Sequence, residues 1–327
     1  MSNKSDQPSA ISDQHRALPG EPSLIADRWP LTASSYTLIE RCCGSAALTF
    51  HRLGAKKSIL PYQGGKWRYR HALSALLDEL GFHGPPARVV LTDAGPWGGM
   101  VTRMLLGLPQ GARSEVIATL RQWSKHDPKA VYDRLHGEPA SRGTPVRVAE
   151  FLFLQRLAHS GKAVGLSKDD RWMSPGFNKT SAYGTPATGR FGAIRPMIPV
   201  LIGVLESYEE DLTHLVADDL LTAQADAAAS IGRGYPYYEV RGRVVEYLDP
   251  PYAGVTPYPG AHLQRGTVVE MALAAQRRGA TVLVSEAEPI AELVEQGWAA
   301  RELRTGRSSG TSPFKSKKGE WVTFRGQ

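Results

Sequence analysis

An α/β fold built on a parallel, doubly wound sheet is predicted by three features of the 327-residue chain. From Tyr36 onward, short apolar runs of strand length alternate with stretches of helical periodicity, and strands separated by helices pair in parallel. Some of these runs stop at an acid close to glycine or proline, as at Glu40, Asp93 and Asp249. The composition, 42% hydrophobic and 22% charged, is that of a soluble globular protein long enough to bury a sizeable core.

The elements follow in order. Residues 1–34 are polar, carry three prolines before Arg28 and show no periodicity, which predicts a disordered leader. A strand is expected over Tyr36–Glu40 and a helix over Ala46–Leu53. A second helical pattern runs from Lys66 to Leu80, and a second strand from Arg88 to Thr92. The pattern then changes. Helices in "SEVIATLRQW" and "PVRVAEFLFLQRLAHS" precede "GKAVGLSKDDRWMSPGFNKTSAYGTPATGRFG", which is rich in Gly, Ser, Thr, Lys and Arg with Trp172, Phe177 and Tyr183 interleaved. This predicts a mainly helical lobe over residues 109–190, inserted into a sheet domain made of residues 35–108 and 191–327. The late strands are expected over Val244–Leu248 and Thr281–Ser285, the late helices over Thr267–Arg278 and Pro289–Gln296.

A formal net charge of +7 suits a polyanionic partner and equally a plain basic surface. Cys42 and Cys43 are adjacent, which is neither a disulfide framework nor a metal-site spacing and points to a reducing, cytoplasmic compartment. No run of about eighteen apolar residues suggests a membrane span.

The stretch "VVEYLDPPYAGVTPY" carries the most chemistry. Asp249 ends a strand, and Pro250 and Pro251 stop both helix and ladder. A bare Asp-Pro-Pro-Tyr serves as a surface turn or as a functional loop. At the carboxyl end of a strand in an open α/β sheet, such a loop faces the ligand crevice. There Asp249 and the Pro250 carbonyl suit the two hydrogens of an exocyclic amine, and Tyr252 suits the flat ring that bears it. Two acceptors favour the pyramidal nitrogen that attacks an electrophile.

With its companions, this motif resembles that of the Dam-type DNA adenine-N6 methyltransferases. "TLIERCCGSAALTF" is similar to the family's first cofactor motif, Glu40 matching its acid and Gly44 its turn glycine; Arg41, Cys42 and Ala46 depart from it. "LPYQGGKWRYR" resembles the lysine motif, with Tyr62 upstream of Gly64, Gly65 and Lys66, although here it follows the acid–glycine motif instead of preceding it. The resemblance implies that Lys66 meets the carboxylate end of the cofactor. It makes Asp93 the candidate acid at the ribose and Asp226 a weaker one at the adenine, with a solvated helix residue as the other reading of Asp226. "GFNKTSAYG" resembles the end of the target-recognition segment, through Phe177, Asn178, Tyr183 and Gly184. Asn178 is suited to a base edge, and Lys179 and Arg190 to phosphate. "RTGRSSGTSPFKSKKGEWVTF" resembles a C-terminal basic hairpin, with Arg304, Arg307, Lys315, Lys317 and Lys318 facing DNA.

The resemblance therefore implies a Rossmann-like S-adenosylmethionine-dependent methyltransferase fold with an inserted DNA-recognition lobe. The implied reaction is methyl transfer to adenine N6 of double-stranded DNA after base flipping, without a metal. Cytosine N4 is the alternative target within the class. A catalytically idle DNA-binding protein is the rival outside it: intact Asp249, Pro250 and Tyr252 argue against it, and the altered residues around Glu40 argue for it.

Overall fold

The computed structural model describes residues 35–59, 66–92, 110–141, 144–159, 164–186, 193–211, 220–223, 242–252, 263–304 and 320–326. The expected leader lies outside them. The first strand, β1 (Tyr36–Arg41), is buried along its whole length and leads through a tight turn into α1 (Ala47–Arg52). A 3-10 turn (Lys66–Tyr69) opens α2 (Arg70–Glu79). The next strand, β2 (Arg88–Thr92), returns parallel to β1 with Leu38 opposite Val89. Successive buried residues along both strands suit a sheet covered on both faces.

The segment that follows is largely helical. It comprises α3 (Gln110–Trp123), α4 (Pro128–Leu135) and α5 (Thr144–Leu157). A small hairpin of β3 (Gly165–Leu166) and β4 (Trp172–Met173) comes next. The segment closes with the short α6 (Lys179–Tyr183) and with α7 (Met197–Asp211). Helices α3, α5 and α7 pack on one another, and α4 and α6 pack against α5. Their apolar faces, with Val116, Leu120, Phe151, Leu152 and Leu205, share one core with Phe50 of α1 and with Val89 and Leu91 of β2. The inserted helices are therefore seated on the sheet, and their layer runs past residue 190 through α7. Buried Glu150 pins the hairpin to α5 by accepting the Ser141 backbone N–H at 3.0 Å and the Trp172 indole N–H at 2.8 Å.

The remaining sheet strands are β5 (Leu220–Ala223), β6 (Arg243–Leu248), β7 (Thr281–Glu286), β8 (Ala299–Leu303) and β9 (Glu320–Arg325). Between them lie α8 (Arg265–Arg277) and the short α9 (Ala291–Val294). Among the described residues the sheet has seven strands in the order β5-β2-β1-β6-β7-β9-β8, and β9 runs against both of its neighbours. Counting sheet strands alone, this is 3-2-1-4-5-7-6: a doubly wound 3-2-1-4-5-6 order with one reversed strand set in before the last. On one face, Leu48 of α1 and Leu73, Leu76 and Leu77 of α2 pack on Leu38, Val245, Tyr247 and Leu283. On the other, Val268, Met271, Ala272 and Ala275 of α8 pack on Leu248, Val282 and Val284. The α/β class is thus observed, as a mostly parallel sheet compatible with a Rossmann-like fold.

The four expected strands are present at their expected places, and several elements escape the sequence reading, the 15-residue α7 and the short β3, β4 and α6 among them. The β5 strand falls in "LLTAQADAAASI", where no strand is expected. The β8 edge strand exposes every residue except Leu303, so it shows no alternation. The start of α4 does carry a signal: Pro128 at its first turn follows Asp127, whose side chain accepts the Ala130 N–H at 3.0 Å. Among the described residues, no helix is long and apolar enough to cross a membrane.

From β1, the sheet extends through β2 to β5 on one side and through β6 to β7 on the other. Connections diverging in this way leave a crevice outside the carboxyl ends of β1 and β6, where open α/β sheets bind ligands.

Candidate active site

Glu40 lies near the carboxyl end of β1, opposite Tyr247 of β6, which in turn is opposite Leu283 of β7. All three face α1 and α2. Glu40 is 1% exposed. Its Oε2 accepts the Thr49 backbone N–H at 3.0 Å and the Thr49 hydroxyl at 2.5 Å, which ties the strand end to α1. Burial pushes its carboxyl up to about 8, against the pull of the two Thr49 bonds, and the nearby Asp249 charge adds to the rise.

The turn after Glu40 holds left-handed backbone at Cys42 (φ 52°), Gly44 (φ 46°) and Ala46 (φ 44°). Glycine adopts this freely, whereas a residue with a Cβ pays about 1–2 kcal/mol. Ala46 stands where the resembled motif has its second glycine, and its conformation supplies the physical reason for a glycine there. Arg41, where that motif has proline, has partners of its own. Its Nε donates to the buried Glu246 carboxylate, which Arg278 also approaches at 3.2 Å.

Asp249 prolongs the β6 ladder by one bond, its backbone N–H donating to the Arg41 carbonyl at 3.1 Å. Pro250 is buried, and Pro251 and Tyr252 are half-buried. The Asp249 carboxylate is 14% exposed and has the buried Lys66 ammonium 2.6 Å from Oδ1. The contact is a buried ion pair. The same ammonium lies 4.5 Å from the centre of the Tyr252 ring and 3.7 Å from Oε1 of Glu320. The Tyr252 hydroxyl donates to that Glu320 oxygen. Beneath this cluster, the buried Tyr247 and Ser285 hydroxyls share a hydrogen bond of 2.8 Å.

Burial governs the protonation of the cluster. It raises the Asp249 carboxyl, and the Lys66 charge opposes the rise. It pushes Glu320 up to about 7, against Lys66 and the Tyr252 hydroxyl. The Tyr252 phenol is raised by burial and then by the two carboxylates.

The structure thus brings Glu40, Gly44, Lys66, Asp249, Pro250, Pro251 and Tyr252 to the carboxyl edge of β1 and β6. Tyr62, Gly64, Gly65, Asp93 and Asp226 lie outside the described residues. Glu320, Thr49 and the Tyr247–Ser285 pair join the cluster without a sequence signal of their own.

A second group of predicted residues lies in the inserted segment. Phe177 packs edge-on against Tyr132 of α4 at 5.1 Å and lies 6.1 Å from the Tyr183 ring. Tyr183 is exposed and donates its hydroxyl to Asp127 at 2.6 Å. Asn178 caps α6, its Oδ1 accepting the Ser181 N–H at 3.1 Å. One of the two lone pairs of that oxygen is thus used within the chain. Lys179 is exposed on the first turn of α6. Gly184 ends α6 with φ 73°, and a Cβ there would stand 2.2 Å from the Ile194 carbonyl oxygen. Arg304 is exposed beside Glu302 at 3.3 Å. Arg190, Arg307, Lys315, Lys317 and Lys318 lie outside the described residues.

No family model matches the chain, and no curated protein matches it.

Proposed function

We propose that the chain is an S-adenosylmethionine-dependent DNA methyltransferase acting on adenine N6. The observation that carries this reading is the cluster of Asp249, Lys66 and Tyr252 in the crevice between the diverging halves of the sheet. Fold likeness alone supports a class of chemistry and not a substrate.

The crevice fits the amino-acid end of the cofactor, because its buried Lys66 ammonium suits a carboxylate. When bound, S-adenosylmethionine supplies a methyl group activated by its sulfonium charge. Gly44 lets the backbone come close to the cofactor, Glu40 braces that turn through Thr49, and Lys66 is suited to the cofactor's carboxylate. Asp249, open to the crevice at its edge, accepts one hydrogen of the target amine, and the Pro250 carbonyl accepts the other. Pro251 keeps the loop stiff, and Tyr252 offers its ring to a base taken out of the duplex. Exposed Lys179 and Arg304, with the basic stretch after β8, suit phosphate contacts.

The test is to incubate the protein with methyl-labelled S-adenosylmethionine and mixed-sequence duplex DNA, then digest the DNA to nucleosides. N6-methyladenine is expected. N4-methylcytosine instead would move the target to the other amino base. DNA binding without any transfer would leave an idle DNA-binding protein.

A further inference from the structure

Glu320 opens β9, which among the described strands alone runs against its sheet neighbours. Reversal carries the first residue of β9 to the carboxyl edge of the parallel strands, into the crevice. There it is 6% exposed, and its Oε1 both accepts the Tyr252 hydroxyl and lies 3.7 Å from Lys66 Nζ. Burying a carboxylate costs several kcal/mol unless partners compensate it, and a strand start needs no such group.

We propose that Glu320 is a positioning residue for methyl transfer, fixing the Tyr252 ring through its hydroxyl and giving Lys66 a second seat beside Asp249. The inference rests on the methyltransferase reading. A ring that receives an extruded base must keep its tilt, and a phenol held at its far end cannot swing about its side-chain bonds. Lys66 is bracketed by two carboxylates, at 2.6 and 3.7 Å. Its ammonium shifts toward Glu320 without losing compensation, and Asp249 is then released to accept the target amine. Glu320 acts through these two side chains and does not itself meet the substrate.

The test compares wild type with Glu320→Ala, Glu320→Gln, Tyr252→Phe and the Glu320→Gln/Tyr252→Phe double variant. Each is assayed for kcat and KM on mixed-sequence duplex DNA, for S-adenosylmethionine binding by calorimetry, and for Tm. Glu320→Ala should lower kcat by about ten- to a hundredfold, the scale of a misplaced reacting group, with cofactor affinity changed by less than about threefold. Glu320→Gln keeps an acceptor for the phenol and should recover part of that loss. In the double variant the two losses should be coupled rather than multiply. Wild-type kcat in both Glu320 variants overturns the proposal. So does a loss in Glu320→Gln that multiplies independently with that of Tyr252→Phe, an arm that decides even where Glu320→Ala does not fold. A wild-type protein that transfers no methyl group to DNA overturns the methyltransferase reading and this role together, whereas an active wild type with indifferent Glu320 variants overturns the role alone.

Discussion

Lys66 and Asp249, from opposite halves of the chain, meet with Nζ 2.6 Å from Oδ1. The contact joins the 3-10 turn before α2 to the end of β6, and so links the two sides of the diverging sheet at its crevice. It also bears on the protonation of the acid. Burial alone raises the Asp249 carboxyl, and the ammonium holds the rise in check. The two partners therefore fail in different ways when replaced.

Asp249→Ala and Asp249→Asn should both abolish methyl transfer while leaving S-adenosylmethionine binding largely intact. The alanine removes the acceptor, and the asparagine presents N–H groups where an acceptor is needed. Lys66 retains Glu320 at 3.7 Å in either variant, so the fold should persist. Transfer assays and calorimetry on the same preparations check this, and near-wild-type turnover in either variant contradicts the role of Asp249.

Lys66→Met keeps the buried stem and removes the charge. Cofactor affinity should fall by about 1.5–3 kcal/mol, the scale of a charge-assisted hydrogen bond, while affinity for DNA changes little. An unchanged cofactor affinity in titration calorimetry would make Lys66 a partner of Asp249 and Glu320 alone.

Two acids make stability fall as pH rises. Glu40 is pushed up to about 8 and Glu320 to about 7, both from 4.5. Above that ordinary value, the native state holds protons that the unfolded chain has already released. Their contribution is complete below about pH 4.5 and is lost as pH rises through about 7 and 8, each unit of displacement corresponding to about 1.4 kcal/mol. Tm measured from about pH 5 to about pH 9 should decline across this window. Glu40→Gln, which cannot ionise, should flatten the upper part. A wild-type Tm that climbs between these limits has the opposite sign and contradicts the assignment.

Two glycines of the helical segment separate backbone strain from steric clash. Gly137 has φ 82° with nothing within 4 Å of an added Cβ, whereas Gly184 has φ 73° and the Ile194 carbonyl oxygen at 2.2 Å. Gly137→Ala should cost only the left-handed penalty of about 1–2 kcal/mol. Gly184→Ala must in addition push apart the Thr185–Ile194 pairing and should cost clearly more. Denaturant unfolding of both variants reads the difference, and equal losses would mean that the neighbouring chain yields freely.

What was legible in the sequence was what local pattern encodes. Asp249 declares itself because a strand of apolar residues runs into two prolines, and Glu40 because a similar strand runs into a turn containing glycine. Glu320 gave no such sign. An acid before "WVTF" reads as an ordinary charged strand start, and only the reversed course of β9 carries it to the crevice. The β8 strand was illegible because an exposed edge needs no alternation of apolar and polar residues. The side chain of Asn178 was read for its chemistry alone, but its oxygen serves the backbone of α6. Residue type told which groups could meet a base; it could not tell which atoms the fold had already engaged.

The reversed strand also imposes an order of assembly. The β8 strand is made before β9, and among the described residues it is paired to the sheet only through β9, which lies between β8 and β7. β8 therefore joins the sheet only together with β9, whether the two dock as a hairpin or one after the other. The carboxylate that receives the Tyr252 hydroxyl arrives with that same strand. A partly made chain can display its earlier strands and their crevice and still lack one wall of it. Closure of the sheet and completion of the crevice are thus one event, and a nascent chain cannot hold the finished constellation before its sheet is closed.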